Sequence, residues 1–263
     1  RTGTLKSGLF LNAVDLDLEP PARPGGDLRW RYEASPARTD RAEQGFGRFT
    51  GSGRWTPAAG GGRVAVDLEL ERSAFSELLT LVTGSDLGVQ GRFTSRATVD
   101  GPLNRLRVRG SLELEDVDRP AFFGLRAREY SVPYEGSLDL AGQTLELAST
   151  KPEGAKAALP FSLALRCTRM LAETQWEASL AFDEIPAPAA LAVARRLGAR
   201  MPEGLTVEGE LVGSLKYSQA RPSEGEVTLR QGRVSMGGSA PLSLAEAQFK
   251  LAGSQLTLSP VEV

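Results

Sequence analysis

The sequence predicts a mainly β protein, in which a long antiparallel sheet curls into a groove and carries two short amphipathic helices. Three observations predict this fold class. Apolar and polar residues alternate with a period of two along most of the 263 residues, glycine and proline interrupt the alternation at hairpin-like intervals, and only two segments show helical spacing. Splitting the alternating stretches at the predicted turns gives about fifteen strands.

The alternation is clearest in two stretches. Residues 64–71 read Val-Ala-Val-Asp-Leu-Glu-Leu-Glu, and residues 106–114 read Leu-Arg-Val-Arg-Gly-Ser-Leu-Glu-Leu. Successive side chains of a strand point to opposite faces, so each stretch has one apolar and one polar face. Turn sequences such as Gly101-Pro102, Ala141-Gly142 and Gly237-Gly238 separate the alternating stretches. Short connections of this kind favour antiparallel neighbours.

Two segments carry apolar residues at the spacing of an amphipathic helix. The first lies between a candidate cap at Ser73 and a stop at Gly84, and the second follows Pro186 and Pro188 and stops at Gly198. We expect both helices to pack their apolar stripes on a sheet. The stripes consist of Phe75, Leu78, Leu79 and Val82 in the first helix and of Ala190, Val193, Ala194 and Leu197 in the second.

Each predicted helix precedes a strand that begins with the pattern Leu-x-Val-x-Gly. The pattern ends at Gly91 in the first case and at Gly209 in the second, 118 positions further on. We therefore predict a weak internal repeat, at about residues 64–150 and 176–263, within one elongated β-rich segment that covers residues 1–263. Because the chain opens and closes on strand-like sequence, we expect it to be a segment of a longer protein.

The residue types that conventional catalysis needs are scarce in this sequence. The chain has no histidine, which excludes Ser-His-Asp and Cys-His nucleophile systems and the usual zinc ligand sets. The glycine-rich residues 45–53 lack the lysine that follows a phosphate-binding loop, so we interpret them as twisted strand or bulge. The single cysteine, Cys167, is in phase with an apolar strand face and is predicted to be a core residue. The sequence therefore predicts no enzyme activity, no metal site and no cofactor.

Charged and aromatic residues do not indicate nucleic acid or sugar as a partner. Asp15, Asp17 and Glu19 recur at every second position opposite an apolar face, as do the acidic residues within 113–118, which indicates a solvated surface. The 31 basic and 33 acidic residues give a formal charge of -2, which offers no general attraction to nucleic acid. The three tryptophans fall in separate predicted strands and form no clustered stacking platform.

The apolar faces of about fifteen strands must be shielded from water. Two sheets can pack as a sandwich, a barrel can close, or one long sheet can curl into a trough with an apolar concave face. Fifteen strands at about 4.8 Å each give a sheet about 70 Å long, enough for an elongated groove. Such a groove needs a ligand, and lipid acyl chains have suitable chemistry. The alternative is a structural or adhesive β-sandwich with a dry core and function in its surface loops.

Three stretches of the sequence also carry a family resemblance. Residues 75–93 read Phe-Ser-Glu-Leu-Leu-Thr-Leu-Val-Thr-Gly-Ser-Asp-Leu-Gly-Val-Gln-Gly-Arg-Phe, residues 100–114 read Asp-Gly-Pro-Leu-Asn-Arg-Leu-Arg-Val-Arg-Gly-Ser-Leu-Glu-Leu, and residues 191–215 look similar. These stretches resemble bacterial AsmA-like proteins, a family related in architecture to TamB and to bridge-like lipid-transfer proteins. The N-terminal membrane helix usual in the family is not found in this sequence, and we expect such an anchor in a segment outside it.

The resemblance implies a non-enzymatic segment that binds or transfers lipid. It implies a hydrophobic β-groove that shields the acyl chains of a phospholipid or other lipid during transport from the inner to the outer membrane. It also implies a periplasmic location, anchored to the inner membrane, with envelope membrane proteins as further partners. Strand phase nominates as groove-facing the residues Val64, Val66, Leu68, Val89, Phe93, Leu112, Leu114, Leu163, Leu180, Phe182, Val207 and Leu211.

Overall fold

A computed structural model of the chain describes residues 9–38, 41–45, 47–74, 76–77, 90–118, 129–151, 161–170, 175–196, 201–218, 222–253 and 255–259. Within these ranges lie fifteen strands and one short helix of defined bounds. The strands are β1 (Leu9–Glu19), β2 (Leu28–Arg38), β3 (Arg41–Gly45), β4 (Phe49–Thr56), β5 (Arg63–Ala74), β6 (Gln90–Pro102), β7 (Leu106–Asp118), β8 (Glu129–Asp139), β9 (Thr144–Ser149), β10 (Phe161–Thr168), β11 (Gln175–Pro186), β12 (Thr206–Ser218), β13 (Glu224–Ser235), β14 (Leu242–Ala252) and β15 (Gln255–Leu258). The helix, α1 (Ala187–Arg196), lies between β11 and β12.

The fifteen strands belong to one open antiparallel sheet. The order runs β1, β2, β4 and then along the chain to β15, while β3 pairs with β2. The mainly β class and the long antiparallel sheet predicted from the alternation are thereby confirmed. The strands join one sheet, in contrast to the two packed sheets of the sandwich alternative.

Helix α1 coincides with the second of the two predicted helices. It begins at Ala187 and has Pro188 in its first turn, where the missing N–H of proline costs no helical hydrogen bond. Near its end, Nη2 of Arg195 donates a hydrogen bond to the backbone oxygen of Leu205, 2.9 Å away. In the first predicted helix Ser76 and Glu77 are helical, but the apolar stripe, Phe75, Leu78, Leu79 and Val82, lies outside the described residues.

The chain divides into two compact units. Unit 1 comprises Arg1–Asp118, Ala127–Ala158 and Thr168–Ala172, and unit 2 comprises Arg119–Arg126, Leu159–Cys167 and Glu173–Val263. Unit 1 therefore contains β1 to β9, and unit 2 contains β11 to β15 with α1 and nearly all of β10.

The core of unit 1 lies where β6, β7 and β8 pair side by side. Phe93, Leu114 and Tyr130 are directly opposite one another across these three strands, and each is at most 3% exposed. Leu106 and Val108 on the same face of β7 are also buried. The alternation of β7 thus places its apolar side chains in the core, while Arg107 and the other charged residues of the strand occupy the opposite face.

The core of unit 2 forms beneath α1. Ala187 at the start of the helix packs with Leu229, Leu244 and Ala247, and these four residues are 1 to 8% exposed. Val207, Leu211, Val234 and Phe249 surround them as partly buried neighbours. The helix thus packs against β12 and β11, and its first residue joins the apolar core formed by β13 and β14.

The two glycines of the Leu-x-Val-x-Gly patterns adopt the same unusual conformation. Gly91 has φ of 133° and Gly209 has φ of 115°, and each lies at a register shift between its strand and the next. The extra residue of each bulge lies on the partner strand, where Asp116 and Gln231 have φ of 50° and 49°. Because a positive φ favours glycine, these bulges give a physical reason for a glycine at the end of both patterns. The internal duplication itself stays a prediction.

Replacing Gly209 with alanine should destabilise unit 2. A Cβ at this position would lie 2.6 Å from the oxygen of Arg230 and 3.0 Å from that of Gln231, at a φ that side chains rarely adopt. We expect the free energy of unfolding to fall by about 1–3 kcal/mol. Urea denaturation measures this as a lower midpoint at an unchanged slope.

Gly237→Ala is the matched control for this prediction. Gly237 also has a positive φ, 57°, but no atom of the described residues lies within 4 Å of the position its Cβ would take. Both variants place a side chain at a positive φ, but only Gly209→Ala also creates a steric conflict. Their difference therefore measures the cost of the steric conflict. A Gly209→Ala midpoint no lower than that of Gly237→Ala would contradict the proposed role of the tight bulge.

Candidate functional site

The registers place half of the nominated residues on one face of unit 1. Across β4 to β9, residues directly opposite one another share a face, and Leu68 opposite Ala97, Ser95 opposite Leu112 and Phe93 opposite Leu114 belong to the same one. We call this the apolar face of unit 1. It carries the nominated residues Val64, Val66, Leu68, Phe93, Leu112 and Leu114.

The exposed fractions of these residues show which of them lie in the core and which reach the surface. Phe93 and Leu114 are buried, so they cannot contact a ligand without a rearrangement of the core. Val64, Val66 and Leu68 in β5 are only partly buried. The accessible part of the face therefore lies toward β5 and the strands before it.

The most exposed part of the apolar face lies on β1, outside the residues that strand phase nominates. Val14, Leu16 and Leu18 are 55%, 56% and 59% exposed. They lie on the same face as Leu68, because Leu16 pairs with Tyr32 and Tyr32 with Gly51, which pairs with Leu68. The alternation of residues 14–18 was recognisable in the sequence, but it did not show that this strand ends the sheet.

Aromatic rings lie over glycines on the apolar face. The ring of Trp30 occupies the space beside Gly53 where a side chain would stand, and the ring of Tyr32 does the same at Gly51. Tyr134 covers Gly110 in the same way, 2.5 Å from the position of a Cβ. The rings lie across the neighbouring strand and shield its backbone, an arrangement that stabilises glycine in sheets. Of the two alternatives predicted for residues 45–53, twisted strand or bulge, Gly51 and Gly53 follow the first, because both lie in β4 and pair in regular register with β2 and β5.

Tyr32 brings a hydroxyl group to this mainly apolar surface. Its hydroxyl oxygen is buried and has no hydrogen-bond partner within the described part of the chain. Burial raises the pKa of the Tyr32 hydroxyl above its ordinary value, so the group stays neutral at physiological pH. The ring also meets Phe49 in a tilted contact, with centroids 5.4 Å apart. The surroundings of Tyr32 are therefore those of an apolar residue.

The nominated residues of unit 2 are divided between core and surface. Leu180 and Phe182 on β11 share a face with Leu211, through their partners Leu215 and Gly213 on β12. Val207 and Leu211 pack against the core beneath α1, so the helix occupies the face that they form. Leu163 on β10 is 45% exposed, and Val89 lies outside the described residues.

The opposite face of unit 1 is polar and contains a depression of about 930 Å³. Two rows of side chains cross the strands on either side of it, and Leu68 is the only nominated residue among those that line it. The rows consist of Asp17, Arg31, Ser52, Asp67, Thr98 and Arg109, and of Asp15, Glu33, Thr50, Glu69, Arg96 and Ser111. Charged and hydroxyl side chains therefore line much of this depression, in contrast to the apolar groove predicted from the sequence.

The charges on the polar face pair with one another across strands. Nε of Arg96 lies 2.8 Å from a carboxylate oxygen of Glu69, with which it is directly paired across β5 and β6. The Arg96 side chain is 70% exposed, so water screens this ion pair. The acidic residues of β1 and β7 lie on the same face, where Glu113 accepts a hydrogen bond of 2.9 Å from the hydroxyl of Ser131. These carboxylates form part of a solvated, mixed-charge surface.

Reactive groups are not gathered into a site in the described part of the chain. No three acidic, cysteine or histidine side chains in these ranges lie close enough together to hold a metal ion. Cys167 is 1% exposed, and burial raises the pKa of its thiol, which keeps the sulfur protonated and weakly nucleophilic. The thiol therefore has the environment of the core residue that strand phase predicted.

Comparisons with protein-family models, curated proteins and solved structures find no match to this chain. Among the residues that the structure describes, no helix is both long enough and apolar enough to cross a membrane.

Proposed function

We propose that this chain is a non-enzymatic lipid-binding and lipid-transfer segment, whose apolar sheet face holds the acyl chains of a phospholipid. The observation that carries the proposal is the exposure of Val14, Leu16 and Leu18, each more than half open to solvent. Fully burying a side chain of this kind contributes about 1.5–3 kcal/mol, so a ligand that covers the row would bind favourably. Contiguous apolar surface of this sort is typical of binding sites.

The chemistry of the face favours acyl chains over other ligands. Trp30 and Tyr32 extend the apolar row from β1 across β2, and Val66 and Leu68 continue it on β5. The Tyr32 hydroxyl is buried, so it offers no accessible group for directional recognition. A flexible hydrocarbon chain needs only such nonpolar contact, while its headgroup can stay in water.

The sequence predicts an apolar groove, but the depression of unit 1 lies on the polar face. Because charged side chains line the depression, we propose that the acyl chains lie on the apolar face opposite to it. The proposal also includes transport of phospholipid from the inner to the outer membrane, a periplasmic location with a membrane anchor outside this sequence, and envelope membrane proteins as partners. These parts follow from the family resemblance.

The lipid content of the purified protein tests the proposal. We expect near-stoichiometric phospholipid after gentle purification, solvent extraction and mass spectrometry, with a β-sandwich protein of similar size as the background. Leu68→Asp should reduce bound lipid about tenfold or more, because a charged group against hydrocarbon is costly. Circular dichroism then establishes that the variant is still folded.

Ala65→Asp is the matched control. It introduces the same carboxylate three positions earlier in β5 but on the polar face, where Ala65 is opposite Arg54 and Asp100. This variant should keep its lipid. Lipid at the background level in the wild type, or equal loss from both folded variants, would contradict the proposal.

A further inference from the structure

Three hairpin turns of unit 1 lie side by side at one end of its strands. Residues 57–62 connect β4 with β5, residues 103–105 connect β6 with β7, and residues 140–143 connect β8 with β9. The strand registers bring these turns together, because Arg63 at the start of β5 is directly opposite Pro102 at the end of β6. The start of β7 lies in the same way beside the end of β8.

Contacts between neighbouring turns make them one surface. The N–H of Leu140 in the third turn donates a hydrogen bond of 3.3 Å to the backbone oxygen of Leu103 in the second. Leu103 also lies beside the first turn, because its Cδ1 is 3.5 Å from the position that a Cβ would take at Gly61. We call the surface formed by residues 57–62, 103–105 and 140–143 the turn end of unit 1.

The turn end presents apolar groups to solvent. Leu140 is 45% exposed, and Leu103 beside it is half-buried. Trp55, near the end of β4, adds an aromatic ring whose Nε1 donates a hydrogen bond of 3.0 Å to the oxygen of Gly61. A tryptophan with an apolar ring and a satisfied N–H suits the boundary between water and hydrocarbon. The exposed alanines of the turn end are Ala58, Ala59 and Ala141.

The charged groups of the turn end are basic. None of its three turns contains an acidic residue, and Arg105 within them and Arg63 beside them are exposed. Asp139, which precedes the third turn, accepts a hydrogen bond of 2.8 Å from the N–H of Gly142. The turn end thus differs from the polar face of the sheet, where carboxylates and arginines are interspersed. Exposed apolar groups flanked by arginine are typical of surfaces that bind anionic membranes.

We propose that the turn end of unit 1 docks on the surface of a bilayer that contains anionic phospholipid. Leu103 and Leu140 enter the interface between headgroups and acyl chains, and Arg63 and Arg105 lie at the level of the phosphates. A second copy of this surface would place arginines opposite arginines, so charge opposes self-association here. An acidic protein would pair with the arginines but would bring carboxylates against Leu140. This inference does not depend on the binding of acyl chains by the apolar face.

Flotation of the whole chain with lipid vesicles tests the inference. We expect the chain to float with vesicles made of phosphatidylcholine and phosphatidylglycerol in equal amounts. Vesicles of phosphatidylcholine alone should bind about tenfold more weakly or less, and added salt should weaken binding to the anionic vesicles. Hydrogen exchange should show slower exchange of amides in residues 58–62 when the anionic vesicles are bound.

Substitutions in the turn end should weaken this binding. Leu140→Asp places a carboxylate where the leucine enters the interface, and the pair Arg63→Glu with Arg105→Glu reverses the charge that attracts the phosphates. We expect each change to lower the affinity for the anionic vesicles by about tenfold or more. Circular dichroism checks that each variant is folded.

Matched controls place the same changes outside the turn end. Leu258→Asp alters a leucine on β15 that is 51% exposed, and the pair Arg31→Glu with Arg109→Glu alters two exposed arginines on the polar face of unit 1. Both controls should bind the anionic vesicles nearly as the wild type does. No flotation of the wild type, equal losses in the variants and their controls, or flotation without protection of residues 58–62 would each overturn the inference.

Discussion

Phe93→Ala is expected to lower the free energy of unfolding of unit 1 by about 3–5 kcal/mol. Phe93 is 2% exposed and faces Leu114 on β7 and the buried Ser73 on β5. The substitution removes an aromatic ring from the centre of these strands, and the paired backbones on both sides restrict collapse of the cavity. A loss of this size is a large fraction of the stability of an ordinary domain.

Fluorine NMR with fluorotryptophan measures the effect within unit 1. The three tryptophans are Trp30 and Trp55 in unit 1 and Trp176 in unit 2, so unfolding can be followed at each position during urea titration. Leu16→Ala is the control, because Leu16 lies on the same apolar face but is 56% exposed. The control should change stability by about 0.5 kcal/mol or less. Equal losses in Phe93→Ala and Leu16→Ala would contradict the assignment of Phe93 to the core.

The burial of Phe93 also explains why Leu68 is a better position than Phe93 for the lipid experiment. Aspartate at Phe93 would place a charge in the core and unfold the protein. A loss of bound lipid would then not distinguish unfolding from weaker lipid binding. Leu68 is only partly buried, between Gly51 and Ala97 on the neighbouring strands. A carboxylate at Leu68 therefore probes the surface of the sheet.

The strands and their faces could be predicted because they depend on local sequence. A period of two fixes which side chains share a face, and the glycine and proline turns make neighbouring strands antiparallel. Gly91 and Gly209, which end the two Leu-x-Val-x-Gly patterns, also have the positive φ that favours glycine. These features need no knowledge of distant contacts.

Burial could not be predicted in the same way. Leu16 and Phe93 have the same alternating context, yet one is 56% exposed and the other 2%, because the first lies at the edge of the sheet and the second between paired strands. The contact of Trp30 with Gly53 depends on the register of strands far apart in sequence. The polar depression likewise depends on how six strands are arranged together, which no single stretch of sequence encodes.

The second large effect is expected for Leu229→Ala in unit 2. Leu229 is 1% exposed and lies between Leu211 on β12 and Ala247 on β14, beneath Ala187 of α1. Truncation should lower the free energy of unfolding by about 2–5 kcal/mol. Two of its neighbours are alanines, whose short side chains cannot move in to fill the space, which favours the upper part of that range.

The response of Trp176 to urea measures this loss within unit 2. Leu242→Ala is the matched control, because Leu242 is on the neighbouring strand of the same unit and is 48% exposed. We expect the unfolding midpoint at Trp176 to fall clearly for Leu229→Ala and to remain near the wild-type value for Leu242→Ala. Because Leu229 contacts the core beneath α1, the first variant should also speed amide exchange in residues 191–196, whose N–H groups bond within the helix. Unchanged exchange in the helix, together with an unchanged midpoint, would mean that α1 is held to the sheet by contacts other than this core.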